Sequence, residues 1–500
     1  MKTKETRMSG KYPDLRSMLD LLAHHPEQLL ETDVEVDPDA ELSGVYRHVG
    51  AWGTVMRPTQ LGPAMVFNNV KGHEGARVLI GLLASRERVG LMLDTDPRRL
   101  GYLLKDAVAS PIDPVTVPQS EAVCQEVVHR AEDPGFDIRK LIPAPTNTPE
   151  DAGPYVTMGM CYASDPETGE SDVTIHRLCL QSKDEISMYF VPGARHLTVF
   201  REKAEAAGKP LPISISIGVD PAIEIAACFE PPTTPLGFNE LSIAGAIRGT
   251  AVEMVDCLTI GEKAIANAEY VIEGELLPNV RVREDQNTDT GKAMPEFPGY
   301  TGRANPELPV IKVKAVTHRT NPIMQTVIGP SEEHVSMAGI PTEASIIQMV
   351  DRAMPGRLQN VYAHSAGGGK YMAVMQFKKS IPSDEGRQRQ AALLAFSAFS
   401  ELKHVILVDE DVDPFDSNDV LWALNTRYQG DVDTIMIPGV RCHPLDPSQG
   451  PEYNAALRDR GISCKAIFDC TVPFELKDRF KRSAFLEVDP AKWAPSLFGG

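Results

Sequence analysis

Hydrophobic and polar positions follow more than one rhythm along the chain. Over residues 13–31, Leu15, Met18, Leu19, Leu21, Leu22, Leu29 and Leu30 recur near helical spacing, which predicts an amphipathic opening helix. From Glu41 to about Pro118, apolar runs at 64–68 and 78–83 read as strands among helical stretches broken by Gly and Pro, an α/β pattern. Residues 142–154, IPAPTNTPEDAGP, cannot sustain a helix or central strand, because proline lacks a donor and restricts its neighbour. A domain boundary is expected near them. Beyond it, strand-like runs at 155–163, 171–180, 186–191, 213–219, 270–277 and 310–317, several separated by Gly, Asp and Pro clusters, predict a barrel or sandwich. After Pro330 the pattern becomes helix (340–354), strand (371–377), helix (385–403) and strand (404–408), a second α/β domain.

Composition narrows the class. The chain has 500 residues, 42% hydrophobic and 24% charged, which is ordinary for globular proteins and disfavours extended disorder. Its net charge of −19 argues against coating nucleic acid, which needs concentrated Lys and Arg. No apolar run approaches the roughly 20 residues of a membrane helix, and residues 1–12 lack a signal-like apolar core, so a cytoplasmic protein without a membrane partner is expected. The eight cysteines contain no C-x-x-C pair and read as buried small hydrophobes.

Two motifs invite chemistry and fail on pattern. Gly367–Gly369 followed by Lys370 suggests a phosphate loop, but Tyr371 stands where Ser or Thr is needed, so a tight turn before a strand is the better reading. The acidic run from Asp409 to Asp419 lacks the glycine and bidentate glutamate of a calcium loop and reads as a solvated face or charge network. A dispersed set is more suggestive: SDVTIHR (171–177), PGARH (192–196), FNELSIAGAIRG (238–249) and PEFPGY (295–300). Asp172, His196 and Glu240 form an oxygen and nitrogen set suited to magnesium or manganese. They equally suit three unrelated polar residues, since 24 and 44 positions separate them, and spacing leaves both readings open.

Taken in order, these segments, with 31–47, 57–72 (RPTQLGPAMVFNNVKG), 144–155, 290–300, 327–346 and HPLDPS (443–448), resemble the UbiD family of reversible decarboxylases. The resemblance is closest to the gallate decarboxylase branch, whose chemistry uses prenylated FMN, a divalent metal and often potassium. It implies an N-terminal α/β region (1–120), a central flavin-binding split β-barrel (121–330) and a C-terminal α/β domain (331–500) serving a homodimer or homohexamer. It implies Asp172, His196 and Glu240 as ligands of Mn2+ or Mg2+ bridging to the cofactor phosphate. Ile175, His176, Arg177, Arg195, His196 and Arg389 are further implied cofactor contacts, with Arg389 at a phosphate where relatives carry Lys. Potassium would lie at 226–229 with Glu240. Strict alternation would send Asp172 and Arg177 to opposite faces of one strand, so a bulge, twist or strand end is expected between them.

For catalysis the resemblance points to Arg177 as carboxylate binder and Glu296 as proton donor. The family's third carboxylate, five residues before that Glu, falls on Gly291, with Asp289 as a substitute. His443 matches the position carrying His in phenolic-acid decarboxylases, where an imidazole can take a phenolic proton. His334 is the second candidate. The implied reaction is nonoxidative decarboxylation of a hydroxybenzoate such as gallate or protocatechuate, with cofactor supplied by a flavin prenyltransferase. The alternatives are a decarboxylase of indole- or pyrrole-carboxylate, a split-barrel flavin oxidoreductase, and a noncatalytic flavin-binding scaffold.

Overall fold

The computed structural model describes residues 12–56, 60–191, 196–450 and 461–498. Its backbone is organised around five sheets. The opening helix is shorter than its apolar spacing predicts: it runs Leu15–Leu22, capped by Asp14, and Leu29–Thr32 is a strand parallel to Ala64–Phe67. Pro26 accounts for the break, because it restricts the residue before it and cannot continue a helix. This N-terminal sheet is completed by Arg77–Ile80 and by Ile323–Thr326, contributed from far along the chain.

The central sheet has nine strands. Eight follow the order Tyr155–Val156, Leu178–Leu180, Glu185–Met188, Leu308–His318, Tyr270–Val282, Leu211–Ile217, Gly159–Ser164 and Ser171–Ile175; Val127–Arg130 pairs beside Leu308–His318. Two very short links join its opposite ends. Thr157 and Met158 connect the first strand of that order to the seventh, and His176 and Arg177 connect the eighth to the second. With consecutive Cα atoms about 3.8 Å apart, each link spans at most about 11 Å. The sheet therefore curls until its ends approach, although no ladder closes it among the described residues. The architecture is mixed α/β with several sheets and an open central one, where closure into a barrel was an expectation.

The second link also resolves the face problem. Arg177 lies between two strands instead of within one, so alternation along Ser171–Ile175 does not dictate its direction.

Beyond it, Glu332–Ala353 is a helix of 22 residues, buried along most of its length, with Ser331 capping its start. It begins eight residues before the apolar periodicity predicts and carries Pro341 inside. The C-terminal sheet has the order Leu358–Ala363, Met372–Phe377, His404–Asp409, Ile462–Cys470 and Thr434–Arg441. Its three inner strands are parallel and the outer two antiparallel. The acidic run after His404–Asp409 is a charge network: Arg427 pairs with Asp409 and Asp411, and Arg482 with Asp411 and Asp419. Among the described residues, no helix is long and apolar enough to cross a membrane.

Candidate active site

Asp172, on the strand Ser171–Ile175, meets His196, which opens the helix His196–Ala206, and Glu240, the N-cap of the helix Leu241–Arg248. Their ligand atoms lie within 4.8 Å of one another. His196 Nδ1 is 3.2 Å from Asp172 Oδ1, whereas Asp172 Oδ2, His196 Nε2 and Glu240 Oε2 are buried without a hydrogen-bond partner. Burial, and then the neighbouring Asp172, push the Glu240 carboxyl well above its ordinary range. Two buried carboxylates side by side are unfavourable unless a proton or cation intervenes. The three residues line a cavity of about 10 Å³, room for one water-sized sphere, and Phe229 of the stretch expected to serve potassium forms part of its wall.

Around the second link, Arg177 is clamped between two carboxylates. Its Nε and Nη2 donate to Glu284 Oε1 and Oε2, each at 2.9 Å, and its Nη1 donates to Glu296 Oε1. Glu284 is fully buried and also accepts from Tyr155 Oη (3.0 Å) and the Asn305 amide (2.9 Å). The Arg177 guanidinium packs 4.2 Å from the centre of the Tyr189 ring. Burial pulls that guanidinium down, but Glu296 and Glu284 override it and hold its affinity for protons above the ordinary value. For Glu296 burial wins: its carboxyl is raised, against the opposing pull of Arg177 and with a further push from Glu284. A raised proton affinity makes a carboxyl better suited to carry and donate a proton.

Arg177 and Glu296 line a cavity of about 180 Å³, the scale of a single aromatic ring, and a neighbouring cleft of about 410 Å³. The smaller cavity has apolar walls including Ile175, Met294, Phe297, Val327 and Met337. Its other polar end comes from the C-terminal sheet. Lys370 precedes the strand Met372–Phe377, Glu401 precedes His404–Asp409, and His443 follows the antiparallel Thr434–Arg441, so one edge of the sheet delivers all three. Lys370 Nζ donates to Glu401 Oε2 (2.7 Å) and Glu230 Oε1 (3.3 Å), and His443 Nε2 stands 3.6 Å from Glu401 Oε2. Phe297, next to Glu296 in sequence, stacks on His334 at 4.8 Å and meets His443 edge-on at 4.9 Å.

The triple glycine is the device that places Lys370. Gly368 and Gly369 have φ of 64° and 75°. A Cβ at Gly368 would meet the Phe297 ring at 2.5 Å, and one at Gly369 the Val335 carbonyl at 2.7 Å. Only glycine permits this left-handed backbone so close to ring and helix.

The sequence matches the three domains described for 3-octaprenyl-4-hydroxybenzoate carboxy-lyase: UbiD N-terminal over residues 22–107, Rift-related over 115–332 and C-terminal over 335–470. The chain belongs to the UbiD family. It is a carboxy-lyase. It is 61% identical over 485 residues to the gallate decarboxylase of Lactiplantibacillus plantarum, covering 97% of this chain and 99% of that protein. Its fold is similar to apo 3,4-dihydroxybenzoic acid decarboxylase from Enterobacter cloacae, with TM-score 0.92, 62% identity, and coverage of 98% of this chain and 100% of that one. It is also similar to an evolved dimeric form of the UbiD-class enzyme HmfF from Pelotomaculum thermopropionicum in complex with prFMN, with TM-score 0.82, 33% identity, and coverage of 97% and 100%.

The sequence-predicted residues divide accordingly. Asp172, His196 and Glu240 converge, and Ile175, His176, Arg177, Glu296, His334 and His443 share the smaller cavity. Arg195 lies outside the described residues. Arg389 does not line the cavity or cleft holding Arg177: its Nε donates to Asp469 (2.6 Å) and its Nη2 to Asp433 (3.1 Å), which occupy the guanidinium at the C-terminal sheet. The cation facing the cavity from the C-terminal sheet is Lys370, whose glycines fail the nucleotide pattern. Neither Gly291 nor Asp289 supplies the third carboxylate. Asp289 is exposed and paired with Arg283, and Glu284 takes that place, twelve residues before Glu296.

Proposed function

We propose that this chain decarboxylates a hydroxybenzoate of the 3,4-dihydroxybenzoate or gallate type, with prenylated FMN and a divalent metal as resident groups. The observation that carries the substrate class is the cavity's two unlike polar ends, Arg177 with Glu296 and Lys370 with His443 and Glu401, joined by apolar walls the width of one ring. The single ring N–H of an indole or pyrrole acid can only donate, to Glu401, and offers no oxygen to the Lys370 and His443 donors. The names of the relatives at 61% and 62% identity support the same class. The complete Arg177–Glu284–Glu296 set removes the ground for a noncatalytic reading.

The donor chemistry suits the implied metal: two carboxylates and an imidazole are hard ligands for Mn2+ or Mg2+, and their unpartnered buried atoms call for a cation. Asp172, His196 and Glu240 would hold that ion, which would supply positive charge to the buried carboxylates and to the cofactor; Ile175, His176 and Arg177 would flank the flavin, and potassium would belong to the same reading at 226–229. When bound, the prenylated flavin supplies the electron sink that decarboxylation requires. Arg177 orients the substrate carboxylate with a fixed fork of donors. Glu284 anchors that fork, and Glu296 gives its proton to the ring carbon that loses carbon dioxide. The curled central sheet is then the split barrel that holds the flavin, between an N-terminal α/β region and a C-terminal α/β domain. A flavin prenyltransferase supplies the cofactor. Phe485, Leu486, Trp493 and Leu497, between 74% and 91% exposed, support a homo-oligomer covering the C-terminal tail.

The test is carbon dioxide release by protein produced with and without a co-expressed flavin prenyltransferase. The expected outcome is release from 3,4-dihydroxybenzoate or gallate only with the prenyltransferase, and none from indole-3-carboxylate or pyrrole-2-carboxylate. Release from the heteroaromatic acids alone contradicts the substrate class. Turnover of NAD(P)H with unmodified FMN contradicts the chemistry.

A further inference from the structure

Removing the proton of the ring hydroxyl requires a proton acceptor, and the imidazole that sequence points to is badly placed for it. The Leu445 backbone N–H donates to His443 Nδ1 at 3.0 Å. An amide N–H only donates, so Nδ1 carries the lone pair and the neutral ring has its proton on Nε2. His443 can gain a second proton only at Nδ1, by breaking that hydrogen bond and setting two donors against each other. Its Nε2–H instead points the donor side towards Glu401.

Glu401 is 3% exposed and lines the same cavity. Its Oε2 is 2.7 Å from Lys370 Nζ and 3.6 Å from His443 Nε2. An oxygen accepting from both donors therefore sits against this carboxylate. Glu230, the other acid on Lys370, stands farther from its Nζ, at 3.3 Å against 2.7 Å for Glu401, and the Phe297 ring packs on both His334 and His443. Lys465 and Tyr371 are further titratable groups that face Glu401 from neighbouring elements.

We propose that Glu401 accepts the proton of the substrate's ring hydroxyl, while Lys370 and His443 donate to the phenolate oxygen that results. This rests on the hydroxybenzoate reading above. The O–H bond breaks and a Glu401 Oε–H bond forms. The bond from ring to carboxylate then breaks, releasing carbon dioxide, and its electron pair takes a proton from Glu296. Glu401 returns its proton to the oxygen as the phenol leaves, and one proton taken up from solution restores Glu296, so that carboxylate and proton become phenol and carbon dioxide.

The test compares holoenzyme of wild type, Glu401→Gln, Glu401→Asp, His443→Gln and His334→Gln. Two readouts are taken from about pH 5 to 9: kcat on 3,4-dihydroxybenzoate, and the difference spectrum of bound 4-nitrocatechol, whose ionised form absorbs at longer wavelength. Glu401→Gln is expected to lose about 10²–10⁴-fold in kcat near neutral pH, and to recover about tenfold per pH unit as the hydroxyl ionises in solution. Below the free probe's pKa, wild type, Glu401→Asp and His443→Gln should bind it ionised and Glu401→Gln should bind it neutral. A wild-type profile and spectrum for Glu401→Gln overturns the proposal, and so does alkaline recovery in His443→Gln or His334→Gln instead. If Glu401→Gln does not fold, the His443→Gln spectrum decides: ionised probe supports the assignment and neutral probe overturns it. Wild-type turnover tests the substrate reading separately, because the probe spectra report the proton acceptor even without turnover.

Discussion

Arg177 is gripped on two edges by carboxylates and on one face by Tyr189, so its fork has essentially one orientation. A lysine would present a point charge that cannot serve Glu284 bidentately and Glu296 together. Glu284 also raises the proton affinity of Glu296, after burial and against Arg177. Neutralising it as Glu284→Gln leaves Arg177 less opposed, so the Glu296 pKa falls. The proton-donating form is then lost at lower pH, and the alkaline limb of the kcat profile is expected to move to lower pH than in wild type, with kcat reduced about 10²-fold or more. An unmoved limb would remove Glu284 from the account. The residue types around Arg177 were legible in the chain, and Glu296 could be placed by its motif. Glu284 could not, because the spacing assumed between the two acids is five and the loop of turns that follows Glu284, before the strand Lys292–Pro295, makes it twelve. Its signal was the Arg-Glu-Asp after a long strand, legible only once that strand, Tyr270–Val282, extends past residue 277.

At the scale of elements, the helix Glu332–Ala353 ties the N-terminal region to the C-terminal sheet. Its Glu333 carboxylate accepts from the Gly81 and Leu83 amides of the N-terminal region. Its Glu343 takes both Nη donors of Arg86, at 2.8 and 2.9 Å, and the Ala363 amide of the C-terminal sheet at 3.0 Å. Glu343 is 1% exposed, so Glu343→Ala would strand a partly buried guanidinium and an amide. A loss of about 3–5 kcal/mol is expected, read as a lower midpoint in urea for the transition that exposes this helix. A midpoint unchanged within error would show that the bridge is not a structural tie. The helix was foreseen by its periodicity, but its start was not, because Glu332 and Glu333 are polar residues buried by specific partners, His334 is half-buried, and apolar spacing cannot register them. The opening helix errs in the opposite sense: leucines at helical spacing continue across Pro26 into a strand, and periodicity overruns the break. Short strands at 64–67 and 372–377 were legible because they are almost wholly apolar and end at turn residues.

At the scale of the whole molecule, the site exists only because distant regions meet. The curled central sheet and the helices His196–Ala206 and Leu241–Arg248 supply the metal-type triad, and a link of that sheet supplies Arg177 with Glu284 and Glu296 beside it; the C-terminal sheet supplies Lys370, Glu401 and His443 from one edge. That edge carries the starting ends of its parallel strands, whereas ligands of open parallel sheets usually sit at the finishing ends. Nothing in the periodicity of either segment reveals that the two meet, so the alternation of elements was readable and their docking was not. The resemblance named most of the first set and, through His443, one member of the second. Lys370 and Glu401 belong to a turn and a helix terminus whose composition looks structural.

The claim that joins these scales is that Glu296 delivers the proton that replaces carbon dioxide. The most direct measurement is turnover of 3,4-dihydroxybenzoate in D2O by holoenzyme of wild type and Glu296→Gln, following carbon dioxide and the deuterium in the product by mass spectrometry. Wild type is expected to release carbon dioxide and place one deuterium on the ring carbon that carried the carboxylate, while Glu296→Gln, with cofactor bound, should lose at least about 10²-fold in rate. Equal rates and equal labelling in the two proteins would contradict the account.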